Sequence, residues 1–90
     1  MTTNQWLMEL EEGNPDGYVD LLVKAGSLAA AAHQVATARC QVRSIPSSVP
    51  TRLELGVAAT FIAQRAGLPS SVPSSRTLAL WCEAEGLPVL

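Results

Sequence analysis

Six prolines and six glycines divide this 90-residue chain into short pieces, and the dividing strings themselves repeat. PSSVP occupies residues 46–50 and again 69–73, while GLP occupies 67–69 and 86–88. A proline biases the residue before it toward extended backbone and, inside a helix, removes a hydrogen bond. Glycine followed by leucine and proline suits a helix end. Glycine takes the left-handed position, leucine folds back on the last turn and proline forbids continuation. Neither copy of PSSVP holds a Pro-x-x-Pro spacing, so the strings read as breaks between helices rather than as proline-type ligands.

Between the breaks, helical signals dominate. Thr2 and Gln5 fit a capping box, in which each side chain satisfies the other's backbone N–H. Trp6, Leu7 and Leu10 then share a face up to a stop at Gly13. Asn14-Pro15-Asp16-Gly17 signals a turn, with Asn14 able to cap the next helix and Pro15 to open it. That helix shows Tyr18, Leu21, Leu22 and Ala25 at i, i+3, i+4 and i+7, pairs Asp20 with Lys24 and stops at Gly26. Ser27 caps a third helix with a stripe of Leu28, Ala31, Ala32, Val35, Ala38 and Val42. Thr51 and Glu54 make a second capping box before a fourth helix with Leu55, Ala58, Phe61 and Ile62 on its inner side. Ser74 or Ser75 caps the last helix, with Leu78, Trp81 and Cys82 on one face. No stretch alternates with the period of a strand. The expectation is an all-α fold, a compact bundle of about five helices (two short N-terminal, three longer) joined by Pro/Ser/Gly loops, with residues 1–90 forming a single helical domain.

The apolar content, 48% of the chain, is mostly Ala, Leu and Val, with thirteen alanines and only four aromatic residues, Trp6, Tyr18, Phe61 and Trp81. Small side chains let helices approach closely but bury little area each, at roughly 25 cal/mol per Å², so such a chain gains from covering a face with a partner. No apolar run reaches the roughly 18–20 residues needed to span a bilayer. The N-terminus lacks a basic stretch followed by an apolar one. With only Cys40 and Cys82, no disulfide framework is indicated. These features favour a complete small cytoplasmic product with free thiols and no membrane association.

The net charge of −2 conceals segregation. Residues 1–20 carry Glu9, Glu11, Glu12, Asp16 and Asp20 without a basic side chain, whereas residues 21–76 carry Lys24, Arg39, Arg43, Arg52, Arg65 and Arg76 against Glu54 alone. Folding of the acidic part against the basic part is the ordinary outcome; an acidic or basic docking patch is the functional one.

Catalytic chemistry finds no set of residues. His33 and Cys40 are seven apart, about 10.5 Å along a helix, beyond the reach of a nucleophile–base pair. No paired Cys/His spacing suggests a metal, no glycine-rich loop suggests a cofactor, and no G-x-S-x-G occurs. Arg39 and Arg43 beside Cys40 favour a thiolate, but the helix C-terminus opposes it. About residues 61–81, Ala63, Gly67 and Val72 have near helix-turn-helix spacing, with Ser74, Ser75 and Arg76 placed for phosphates. This resembles that DNA-binding motif, whose turn is ordinarily three or four residues. The prolines and the acidic pI of 5.2 oppose it. The reading is a non-enzymatic protein-protein interaction module (adaptor, regulator or inhibitor), without cofactor or metal, docking a helix face on a protein or on itself as a homo-oligomer. The alternative is a DNA-binding transcriptional regulator. The expected partner-binding residues are Trp6, Glu9, Glu12, Arg39, Arg43 and Trp81. Either tryptophan would be core by default and an anchor if exposed.

Overall fold

The structure, a computed structural model, describes residues 2–12, 16–43, 49–68 and 72–90. These form five helices: α1 (Thr3–Glu12), α2 (Asp16–Ala25), α3 (Leu28–Val42), α4 (Arg52–Ala66) and α5 (Ser75–Ala84). The all-α bundle is as the punctuation implies. Val49, Pro50, Val72 and Pro73, the described ends of the two PSSVP strings, lie outside helices. The expected features at Gly13, Asn14 and Pro15, and the remainder of both strings, lie outside the described residues. Asp16 and Gly17 belong to the first turn of α2 rather than to a turn before it.

Caps explain where the helices begin and end. The Thr2–Gln5 box is complete: Gln5 N donates to Thr2 Oγ1 at 3.1 Å and Thr2 N donates to Gln5 Oε1 at 3.0 Å. Ser27, Thr51 and Ser74 each accept from the backbone N–H three residues on, an interaction worth about 1 kcal/mol per helix. Gly67-Leu68 and Gly86-Leu87 close α4 and α5 by one geometry. Gly67 and Gly86 have φ of 72° and 79°. The following leucine N–H reaches back to Ala63 O at 2.9 Å and to Cys82 O at 2.8 Å. This is the Schellman arrangement, and leucine or proline in the glycine's place would meet the left-handed penalty.

α3 is the centre of the bundle and packs against each of the other four helices. Its expected single stripe is a partial description. Ala29, His33, Ala36 and Cys40 are buried alongside Ala31, Ala32, Val35 and Ala38, whereas Val42 is exposed. A helix apolar on most of its circumference belongs in an interior, and alanine makes that possible by keeping neighbours close. α4 contributes Leu55, Ala58, Ala59 and Ile62, all fully buried. Tyr18 of α2 meets Phe61 edge-on, with centroids 5.8 Å apart, a favoured aromatic geometry. On α5 the inner face is Leu78, Ala79 and Cys82. Trp81 is 48% exposed, which corrects its assignment to the core: the small Ala79 takes the inward position and turns the indole out.

Substituting Ala32→Leu should cost about 1–3 kcal/mol, because the three carbons that leucine adds find no space around a fully packed helix. Leu53→Ala, on the outside of α4, should change stability by no more than about 0.5 kcal/mol. Urea unfolding followed by circular dichroism distinguishes the two.

Candidate functional site

Three places on the surface combine shape with chemistry. The first is the outer side of α4. Leu53 is 74% exposed and Val57 48% exposed. At i, i+4, i+7 and i+11, Leu53, Val57, Thr60 and Gln64 form one uncharged stripe. Beside it runs a groove of about 540 Å³ lined by Gly56, Phe61, Val72 and Pro73 as well. Gly56 brings the start of α5 close: a Cβ there would lie 3.2 Å from Ser75 Cβ. The Arg65 guanidinium stands over the Phe61 ring, 4.5 Å from its centroid, so the groove has a cation at one edge. Arg52 flanks the other end of the stripe.

The second place is a hollow of about 480 Å³ between α1 and α3. Trp6 forms one wall, half-buried, and His33, Gln34, Thr37 and Gln41 of α3 form the other. His33 is buried, and its Nε2 lies 2.7 Å from Pro88 O. A carbonyl oxygen only accepts, so Nε2 carries the proton. Nδ1 then accepts from Thr37 Oγ1, 3.4 Å away. This single histidine is a strut for the C-terminal tail, which also bonds from Leu90 N to Pro50 O at 2.9 Å.

The third is a smaller hollow of about 200 Å³ lined by Met8, Glu11, Arg39 and Arg43 among others. Here α1 and α3 bring acidic and basic residues into one neighbourhood. The ion pairs among the described residues are nonetheless Asp20–Lys24 at 2.9 Å and Glu54–Arg43 at 2.5 Å. Arg43 Nη2 contacts both Glu54 oxygens, and Cys40 Sγ donates to Glu54 Oε2 at 3.2 Å. Glu54 therefore turns to α3, and only the hydroxyl half of its expected capping box forms, Glu54 N donating to Thr51 Oγ1 at 3.3 Å. Burial pushes the Glu54 carboxyl up, but the Arg43 and Cys40 hydrogen bonds and the nearby Arg39 charge hold it below its ordinary value. Burial and the Glu54 carboxylate push the Cys40 thiol up, against the influence of Arg43, so the flanking arginines do not produce a thiolate. Burial likewise raises Cys82, with Glu85 and Glu83 adding to it.

The expected partner-binding residues are thus dispersed. Trp6 lines the larger α1–α3 hollow, and Arg39 and Arg43 line the smaller one, with Arg43 committed to Glu54. Glu9 and Glu12 are exposed on α1. Trp81 stands apart from these, beside Ser27 and Ala29. Leu53 and Val57 were absent from that set, although their spacing with Thr60 and Gln64 was legible as a second, uncharged helix face. Among the described residues, no three His, Cys, Asp or Glu side chains gather as metal ligands, and no helix is long and apolar enough to cross a membrane. The chain matches no protein-family model, no curated protein and no solved structure.

Two outcomes follow from this geometry. A carboxyl whose value is lowered by folding adds stability above its unfolded value, near 4.5, and loses it as pH falls through the folded value. Arg43→Ala should therefore flatten the acid limb of a stability–pH profile as pH falls below about 4.5. Separately, His33→Ala should speed amide exchange at Leu90 by about fivefold, since removing a hydrogen bond of about 1 kcal/mol frees the tail; hydrogen exchange read by NMR checks it.

Proposed function

We propose that this chain is a non-enzymatic protein-docking module, an adaptor or regulator acting in the cytoplasm, and that its docking face is α4. The observation that carries this reading is the uncharged stripe with two solvent-facing aliphatic residues, Leu53 and Val57, beside a groove containing Phe61 and Val72. Depletion of charge at the centre with cations at the margin is the composition of an interface core and rim. Arg52 and Arg65 flank the stripe, so the complementary surface is an amphipathic helix with acidic margins. α2 carries exposed Val19 and Val23, each with an aspartate three residues before it, Asp16 and Asp20, the latter paired with Lys24. A second copy of the chain is therefore the simplest partner.

The helix-turn-helix alternative is less well supported. α4 and α5 are separated by residues 67–74, whereas that motif joins its helices by a turn of three or four residues.

Sedimentation velocity across a concentration series should show association in the wild-type chain that is weakened more than tenfold by Leu53→Asp, the effect of about 1.4 kcal/mol or more at an interface centre. Should the chain sediment only as a monomer, a photo-crosslinking residue at position 57 identifies another protein, and that purified protein must bind wild type more than tenfold tighter than Leu53→Asp. Absence of both forms of association overturns the reading.

A further inference from the structure

We propose that the hollow between α1 and α3 is a binding site for an unphosphorylated adenine nucleoside, a role independent of docking at α4. Its volume, about 480 Å³, lies in the range of small-molecule sites. None of its lining residues carries a formal charge when His33 is neutral. An ionised ligand would give up hydration there without a compensating ion pair, which selects a neutral one.

The walls say more. Trp6 supplies a half-buried indole, and an aromatic face stacks on a nucleobase for about 1–3 kcal/mol. Along α3, Gln34, Thr37 and Gln41 lie at i, i+3 and i+7 and give a polar edge about 10.5 Å long, the length of a base and its sugar. Gln34 is exposed and presents a carbonyl oxygen and an amide nitrogen side by side. That pair matches the N6 donor and N7 acceptor on one edge of adenine, the bidentate pairing glutamine makes in base recognition. Gln41 is held differently: its Oε1 accepts from Thr3 Oγ1 at 3.1 Å, which directs its NH₂ outward as a donor to a sugar hydroxyl. Thr37 donates toward His33 Nδ1 and keeps its oxygen lone pairs for a ligand O–H. His33 is itself fixed by Pro88 O, so this wall is in place before a ligand arrives.

The two tryptophans make the test direct. Trp81 lines a different hollow, so Trp81→Phe leaves Trp6 as the one indole reporter. Titration of this variant with adenosine should quench its emission saturably, and the complementary Trp6→Phe variant should show no change. Gln34→Ala, at an exposed position with unchanged circular dichroism, should weaken binding about ten- to hundredfold, the value of one bidentate base contact. Inosine, which lacks the N6 donor, should weaken it similarly, and AMP should bind no tighter than adenosine. The proposal is overturned by absence of saturable quenching up to about 5 mM, by quenching indifferent to Gln34→Ala, by a response that follows Trp81, or by tighter binding of AMP.

Discussion

The close approach of four helices to α3 is the constraint on which this structure depends. Ala31 and Ala32 on α3 and Ala58 and Ala59 on α4 have no exposed surface, and their small size sets short interhelical distances. Dispersion contacts at such distances are individually slight and collectively large, yet each alanine removes little area from water. The interior is consequently filled by backbone proximity more than by side-chain volume. Larger aliphatic groups enter only where spacing allows, as Leu55, Ile62 and Leu78 do. Others, including Leu53, Val57, Leu80 and Trp81, are left on outer faces. The same feature that makes the core compact leaves the surface apolar.

A core of this kind gains from polar ties between segments distant in sequence. Three of them converge on α3 and on the start of α4. Arg43 and Cys40 at the end of α3 hold Glu54 in the first turn of α4. His33 in the middle of α3 holds Pro88. Leu90 reaches Pro50, just before the Thr51 cap. A buried or half-buried carboxylate is costly without partners; here one guanidinium and one thiol supply them, which explains why Glu54 abandons the backbone N–H of Thr51. The C-terminal tail, apolar in sequence, lies along the bundle with Leu87 and Val89 against the core.

Local chemistry was legible in the sequence because it acts over three or four residues. The Thr2–Gln5 box, the Ser27, Thr51 and Ser74 caps and the paired Gly-Leu stops all fall where residue type alone puts them. What was not legible depends on facing segments. Nothing within LAAAAHQVATARCQV says that helices lie on several sides of it rather than on one stripe, since alanine is equally suited to a surface and to a close contact. Trp81 has the spacing of a core residue with Leu78, yet Ala79 takes that side because α5 lies close to its neighbours. The partner of Glu54 was hidden for a similar reason: a capping box competes with an arginine eleven residues earlier, and only the fold decides between them. Of the candidate site, Trp6 was visible as a scarce aromatic, while the α3 residues facing it were visible only as one side of a helix.

Exposed aliphatic residues are ordinary on protein surfaces, so the significance of the α4 stripe rests on what surrounds it. Val19 and Val23 on α2 are interleaved with Asp16, Asp20 and Lys24, and the last two form an ion pair. Leu80 on α5 shares its hollow with Arg52, Arg76 and Glu83. Each of these faces keeps charge within a helical turn of its apolar groups, so burying it requires counter-charges on the partner to replace the lost hydration. The α4 stripe differs: from Leu53 through Val57 and Thr60 to Gln64 it presents no charge for about three turns, and its neighbouring groove continues the apolar surface to Val72 and Pro73. Covering it removes aliphatic area from water while leaving Arg52 and Arg65 at the margin. Absence of charge along its length, more than presence of hydrophobic side chains, therefore separates the α4 stripe from the other exposed apolar groups.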